Sequence, residues 1–460
     1  MRILFATAEL TPLARVGGLA EAAAGLVVAL RAAGVDVDLV MPDYAEVEMD
    51  NERSRHVDVP AWAGPATARR GEVAGVGDVT LVKVPGMVRP HPYIDATGKG
   101  WPDNDRRFFA FSAAVASLVQ TSDPDVVHLN DWHTGATLAF LDKRPPTVLT
   151  IHTLGYQGWA GPEWLPRVDY HFSAYECFGD INPLAGAIQV ADRVIAVSPN
   201  YADEIRRPES GMGLDFILNG LGDRLVGIRN GIDTAIWDPA TDRMLSANYS
   251  VDDLAGKAAS RADLLETAGW EDDGTPIVGI VTRLVDQKGI DLALETVRYA
   301  PKMPFRLVLL GSGEQWLADW AHWAAGEWPN HLYFADGYNQ KLAHTIFAGS
   351  DLLLMPSRFE PCGLAQMQAM AYATIPVVTD VGGLRDTVMD ADADRKNGTG
   401  FLATTVDVPG TLDALHRATR AWRHKQRRTG IQKRGMRQDW SWAEPAQRHI
   451  EIYEDLAAHA

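Results

Sequence analysis

Met1-Arg2-Ile3-Leu4-Phe5-Ala6-Thr7-Ala8-Glu9, with the loop at Gly17-Gly18, the stretch Leu19 to Ala33 and the run Val35-Asp36-Val37-Asp38-Leu39-Val40-Met41-Pro42, decides the fold of this chain. Ile3 to Ala6 is a short, uninterrupted apolar run, the mark of a strand buried on both faces. Leu19 to Ala33 has helical spacing, and Gly34 is placed to end that helix. Val35 to Pro42 reads as the next strand. Strand, helix and strand in this order form a βαβ unit, and its right-handed crossover opens a doubly wound parallel sheet.

Outward from that unit, short strands are expected at Val79–Val84, Val126–Leu129, Thr147–Ile151, Arg193–Val197 and Leu225–Ile228. The polar stretch Asp43 to Gly75, broken by Pro and Gly, reads as loops and hairpins. A charged region, Val251 to Ala268, and the turn Glu271-Asp272-Asp273-Gly274 interrupt the alternation. It resumes at Pro276–Val281, Phe305–Leu310, Leu332–Phe334, Leu352–Met355 and Ile375–Val378. A chain of 460 residues is too long for a single core. The expected architecture is α/β, with two Rossmann-like doubly wound domains, 1–240 and 241–439, facing each other across a deep cleft. An amphipathic helix within 440–460 is expected to pack back on the first domain. Such clefts take ligands, but the fold alone does not choose the chemistry.

The composition is that of a soluble globular protein, 46% hydrophobic and 22% charged, with a net charge of −17. That charge argues against nucleic acid or an anionic membrane as partner, so any phosphate must be held by a few local cations. Cys177 and Cys362 are the only cysteines and form neither a disulfide framework nor a metal cluster, which fits the cytoplasm. The first apolar run stops at Glu9, too early for a signal peptide, and no run is long enough to span a membrane. Asp36 and Asp38 fall in a strand, whereas Asp103-Asn104-Asp105, Asp123-Pro124-Asp125 and Asp390 to Asp394 read as solvated turns. In the last of these, Arg395 and Phe401 stand where a calcium loop needs Gly and Glu. No metal and no cofactor are expected, and the oligomeric state is left open.

Chemistry concentrates in Pro356-Ser357-Arg358-Phe359-Glu360-Pro361-Cys362-Gly363-Leu364-Ala365-Gln366. It follows the strand Leu352–Met355 and precedes a helical pattern from Gln366 to Tyr372. Glu360 is thereby put on a loop at a strand's carboxyl end, with Gly363 opening the next helix, at the edge where doubly wound sheets bind ligands. A helix N-terminus suits phosphate, and a carboxylate accepts from sugar hydroxyls. Arg283 and Lys288 flank the loop Arg283-Leu284-Val285-Asp286-Gln287-Lys288-Gly289, where a guanidinium and an ammonium can hold a departing diphosphate. A surface turn would explain that loop alone; Glu360 beside it favours a site.

Gly311-Ser312-Gly313-Glu314, Gly382-Gly383-Leu384 and Arg15-Val16-Gly17-Gly18-Leu19 can each bring backbone N–H groups to an anion, or serve as tight turns. Asn130-Asp131-Trp132-His133-Thr134 joins a hydroxyl acceptor to an aromatic face, as a sugar site does; a buried Trp with a capping Asp accounts for it equally. His152 ends the strand Thr147–Ile151 and is a candidate polar contact. Asn230-Gly231-Ile232-Asp233 is first of all a turn.

Taken in order, these motifs, with Tyr156-Gln157-Gly158 and Trp237-Asp238-Pro239, resemble the bacterial glycogen synthase and plant starch synthase family from Met1 to about Tyr453. The resemblance implies the GT-B glycosyltransferase fold and a retaining reaction. It implies transfer of glucose from a nucleotide sugar, usually ADP-glucose, to the non-reducing end of an α-1,4-glucan. It places Arg283 and Lys288 on the diphosphate and Glu360 beside the donor sugar, with Cys362, Gly363 and Leu364 lining that pocket. His152 would contact the donor glucose near its reactive face, with Asn230 close by, and the Tyr338 ring would pack on the base. Asp131 and Trp132 belong to the acceptor side, while Arg15, Gly17, Gly18, Gly382 and Gly383 complete the substrate contacts.

The chain departs from the family's pattern in the first domain. Arg15 stands where Lys is usual, Glu21 where Asp is usual, Thr153 where Asn follows the His, and Asn130 where His precedes Asp-Trp-His. Arg and Lys are not interchangeable at a shaped site. These departures keep open a second reading, a related transferase that couples a sugar or cyclitol nucleotide to a small-molecule acceptor.

Overall fold

A computed structural model describes residues 1–459. The chain divides into two compact units, Met1–Gly231 together with the stretch from Trp442 onward, and Ile232–Ser441. The divisions fall at 231/232 and 441/442, where the sequence suggested 240/241 and 439/440.

The first unit is built on a nine-stranded sheet. Its strands are β1 (Arg2–Ala6), β2 (Asp36–Pro42), β3 (Asp50–Val57), β4 (Ala66–Val73), β5 (Gly77–Lys83), β6 (Val126–Asn130) and β7 (Thr147–Ile151), with β10 (Arg193–Ala196) and β11 (Leu225–Gly227). A separate two-stranded hairpin pairs β8 (Glu176–Cys177) with β9 (Asp180–Ile181). The order in the large sheet is β11-β10-β7-β6-β1-β2-β5-β4-β3. Pairing is parallel except where β3, β4 and β5 form an antiparallel meander from the polar stretch expected to give loops and hairpins. Strand order reverses between β1 and β6, so the loops after those two strands flank a switch point, the preferred ligand position in such sheets.

Gly18–Ala32 crosses from β1 to β2 and buries Leu19, Ala22, Ala23, Leu26, Val27 and Leu30. Gly34, at φ 87°, ends it in the left-handed conformation a side chain would resist. Asp103-Asn104-Asp105 is not a solvated turn: Asp103 holds the N-cap position, without a side-chain capping bond, and Asn104 opens the helix Asn104–Ser122. That helix buries Phe108, Phe109 and Phe111, and burial of its apolar face outweighs the weak helix propensity of the entry residues. The C-terminal helix Ala443–Ala458 lies against Gly18–Ala32 and β6. There Tyr453 hydrogen-bonds His128 at 2.6 Å, and the Trp442 indole takes the space beside Gly25.

The second unit carries six parallel strands: β12 (Ile277–Val281), β13 (Arg306–Gly311), β14 (Leu332–Asp336), β15 (Leu352–Met355), β16 (Ile375–Thr379) and β17 (Phe401–Ala403). Their order, β14-β13-β12-β15-β16-β17, is that of a dinucleotide-binding sheet, with its switch point between β12 and β15. Val278, Ile280, Leu307, Leu309, Leu352 and Leu354 are buried in the core on one face of this sheet and Ile277, Val308, Leu310 and Leu353 on the other, which is why these strands read as unbroken apolar runs. Asp390 and Asp392, expected as solvated turn residues, are instead paired with Arg417 and Arg427. No helix among the described residues is long and apolar enough to cross a membrane.

Candidate active site

In the second unit the loops that leave β12, β13 and β15 meet at the switch point. Arg358 N–H donates to the Gln287 carbonyl at 2.8 Å, and Gln287 Nε2 donates to the Phe359 carbonyl at 3.2 Å. The Arg358 guanidinium takes both carboxylate oxygens of Asp291, at 2.8 and 2.7 Å. Leu284 N–H donates to Ser312 O, and Glu314 N–H returns a bond to Leu284 O. Gly289, at φ 61°, lets the first loop approach so closely that a Cβ would lie 2.0 Å from Pro356 O. Side chains on these loops therefore stand on fixed backbone.

Lys288 and Glu360, 72 residues apart in the chain, are brought into contact. Lys288 Nζ donates to Glu360 Oε1 at 2.9 Å and Oε2 at 2.6 Å, and Ser357 Oγ donates to Oε2 at 3.0 Å. Thr379 Oγ1 in turn donates to the Ser357 carbonyl at 2.6 Å. Arg283 is exposed beside them and makes no ion pair among the described residues. The neighbourhood thus offers one ammonium compensated by a carboxylate and one guanidinium open to an incoming anion.

Cys362 is buried, and Gly363, at φ 73°, turns the chain two residues before the helix Ala365–Ala371. Gly382 opens the helix Gly382–Thr387, but the Gly383 N–H already donates to Glu360 O at 2.9 Å. A Cβ on Gly383 would lie 2.2 Å from Cys362 O, so this glycine serves close packing of backbone on backbone. Tyr338 follows β14 with its side chain largely exposed, and the preceding Gly337 N–H is tied to Gly311 O.

In the first unit, Asp131 stands at the carboxyl end of β6 with left-handed backbone, φ 53°. It is buried, and its Oδ1 accepts the His152 N–H at 2.7 Å, with Thr153 N–H also contributing. Burial pushes its carboxyl up to about 7, against the pull of those two N–H groups. Expected to meet acceptor hydroxyls, Asp131 is engaged in fixing the loop that carries His152. Trp132 packs against Gly158, whose Cβ would fall 2.2 Å from the indole, and edge-on to Phe108, so its ring is only partly open.

Asn130 Nδ2 donates to Ala6 O at 2.9 Å, which turns Oδ1 toward His152 Nε2, also at 2.9 Å. Nε2 therefore carries the proton and Nδ1 is the acceptor. Burial lowers the His152 pKa to about 3, with His449 adding to the effect, so the ring is neutral. His152, Asn130 and Asn230 line one cavity of about 10 Å³, room for a single water. Arg15 pairs with Glu21.

Glu9 escaped the sequence reading. Its buried carboxylate accepts the N–H groups of Val16 and Gly17 at 2.8 and 2.9 Å and the Tyr93 hydroxyl at 2.8 Å. The N–H groups expected to meet an anion thus already hold one. A carboxylate just beyond the first strand, beside a glycine loop at the switch point, was the available signal. No Cβ added at Gly17 or Gly18 would meet anything within 4 Å, so the outer face of this loop is open.

Comparison with known proteins identifies the family of both halves of the chain. Residues 2–220 match the family described as starch synthase catalytic domain, and residues 267–434 match glycosyl transferases group 1. The chain is 40% identical to the glycogen synthase of Halorhodospira halophila over 100% of its length and 99% of that protein's. It is also 40% identical to the glycogen synthase of Rhodopseudomonas palustris, with the same coverage. The catalytic domain of starch synthase IV from Arabidopsis thaliana, bound to ADP and acarbose, superposes with a TM-score of 0.87 at 32% identity, covering 99% of each chain. Sucrose-phosphate synthase from Thermosynechococcus elongatus, at 20% identity and a TM-score of 0.65, shares the GT-B fold.

Proposed function

Since this chain belongs to the glycogen and starch synthase family of glycosyltransferases, we propose that it moves glucose from ADP-glucose to the non-reducing end of an α-1,4-glucan with retention of configuration. The observation that carries the reading is the meeting of the Arg283–Lys288 loop and the Glu360 loop at the switch point of the second sheet. ADP is the nucleotide bound by the Arabidopsis relative, and full-length likeness to glycogen synthases favours glucan over a small acceptor.

In the proposed reaction the bond from the anomeric carbon to the diphosphate oxygen breaks first. Negative charge grows on the diphosphate, where Arg283 and Lys288 stabilise it more in the transition state than in the ground state. The sugar becomes oxocarbenium-like, and the Glu360 carboxylate offsets its positive charge while accepting from a hydroxyl. The acceptor's 4-hydroxyl then attacks the same face, its oxygen bonding the anomeric carbon as its proton passes to the departing diphosphate. Neutral His152, its proton held on Nε2 by Asn130, presents Nδ1 as an acceptor toward a donor hydroxyl.

The test is incubation with ADP-glucose, UDP-glucose and GDP-glucose, each with and without glycogen. Glucose incorporated into glycogen from ADP-glucose is the expected result. Donor hydrolysis without chain growth would overturn the glucan reading, and incorporation from another donor would overturn the choice of base.

A further inference from the structure

Between Asp413 and Asp439 the chain holds nine Arg or Lys and no Asp or Glu, in a protein of net charge −17. This run makes the end of the helix Val408–Arg423 and all of the helix Lys425–Met436. With the loop that precedes β17 they wall an open pocket of about 780 Å³, whose ionisable lining is Arg395, Arg420, His424, Arg427 and Arg434, without a carboxylate.

The pocket is remote from the donor loops. Gly382–Thr387 runs back from the carboxyl edge of the second sheet and delivers Ala391 and Arg395 to its amino edge, where Gly400 leads into β17. Val408–Arg423 likewise starts beyond the carboxyl end of β17 and returns Arg420 to the same place. Arg283, Lys288 and Glu360 stand at the opposite edge.

Internal pairing accounts for only part of this charge. Arg417 is taken by Asp390, Asp392 and Asp413, Arg427 by Asp392, and Arg428 lies over the Trp422 ring. Arg395, Arg420 and His424 make no ion pair among the described residues. The helix Lys425–Met436 adds an independent observation. It begins without a side-chain cap or an acidic residue, and its first turn holds Lys425, Arg427 and Arg428. Cations there oppose the positive end of the helix dipole, an arrangement that an external anion relieves. Burial and neighbouring Arg427 also lower the Arg434 pKa, with Asp394 opposing them.

We infer that this pocket is a second anion site, binding a phosphorylated small molecule between Arg395, Arg420 and the first turn of Lys425–Met436. Its volume lies within the range of roughly 300–1,000 Å³ typical of small-molecule sites, which suits a sugar phosphate better than a lone ion.

Calorimetry with the full chain tests this. Pyrophosphate and glucose 1-phosphate are titrated into protein saturated with ADP, so that the donor loops are filled. Wild type is expected to bind one equivalent. The variant Arg395→Ala/Arg420→Ala, altered only at exposed positions, is expected to bind roughly tenfold or more weakly. Its glucose transfer in phosphate-free buffer should equal that of wild type. Tighter binding of glucose 1-phosphate than of pyrophosphate would identify a sugar phosphate as the natural class, and the reverse order would point to a free phosphate anion. Equal affinity in variant and wild type, or no binding beyond ADP, would overturn the site. So would weak binding in both proteins that salt abolishes alike, because that describes only a solvated basic face.

Discussion

Lys288 holds Glu360 by both carboxylate oxygens, and the two side chains are only 17% and 5% exposed. Removing one partner of such a pair leaves a charge poorly hydrated, at a cost of about 3–5 kcal/mol. Lys288→Ala is therefore expected to lower the urea midpoint as well as kcat. Glu360→Gln keeps shape and some hydrogen bonding, and should cut kcat more than donor affinity. The double variant should regain part of the stability lost in Lys288→Ala and none of the activity. Urea melts and single-turnover rates check this, and a double variant no more stable than Lys288→Ala would remove the coupling.

Arg283 provides the contrast. Being exposed and without an ion pair among the described residues, it contributes little to folding. Arg283→Ala should leave stability within about 0.5 kcal/mol of wild type. Turnover should nonetheless fall roughly 10²–10³-fold, the usual cost of losing one preorganised charge contact in the transition state. Undiminished kcat would take Arg283 away from the diphosphate.

Arg15 and Glu21, both longer than the family's usual Lys and Asp, pair with each other. The lengthening is thus matched across the loop. With 40% and 25% of the two side chains exposed, the pair is worth no more than about 1 kcal/mol. Arg15→Lys alone should keep glucan synthesis, and Arg15→Lys/Glu21→Asp should keep it at least as well. Glucose incorporation into glycogen measures both. Loss in the single variant with recovery in the double would show that the pair itself shapes the acceptor loop.

Acid should destabilise the first unit before most carboxylates titrate. Burial holds His133 and His152 at about 3 and His449 at about 4, and pushes His128 well below its ordinary value. The unfolded chain binds these protons near pH ~6.5 and the folded chain does not, so this stability is complete above ~6.5 and is lost as pH falls. Asp131, pushed up to about 7, acts in the opposite sense as one group against these four imidazoles. Urea midpoints between about pH 4.5 and 6.5 should rise with pH, and His449→Gln should flatten the slope by about one proton. A flat profile in wild type would show that these imidazoles are hydrated.

The strands were legible because parallel sheets bury both faces: Leu352–Met355 and Thr147–Ile151 need no partner in sequence to be recognised. The Lys288–Glu360 neighbourhood was legible as two loops, since each follows such a strand. Their direct bond was not, because 72 residues separate the partners and only sheet order brings them together. Glu9 read as the polar end of an apolar run, since its partners Val16, Gly17 and Tyr93 are assembled by the fold. Asp390 and Asp392 looked solvated for the same reason: Arg417 and Arg427 lie on later helices.

Gly289 meeting the Pro356 carbonyl has a bearing on how donor preference could be re-engineered. With no room for even a methyl group between them, the two loops fit like a key and its ward. The bonds from Gln287 to Phe359 and from Leu284 to Ser312 extend that fit to a third loop. A chimaera that takes the Arg283–Gly289 loop from one parent and the Pro356–Glu360 loop from another must align two backbones that never co-varied. Exchanging donor preference is therefore expected to require moving the whole stretch from β12 through the Gly382-Gly383 turn as one block, and not one loop at a time.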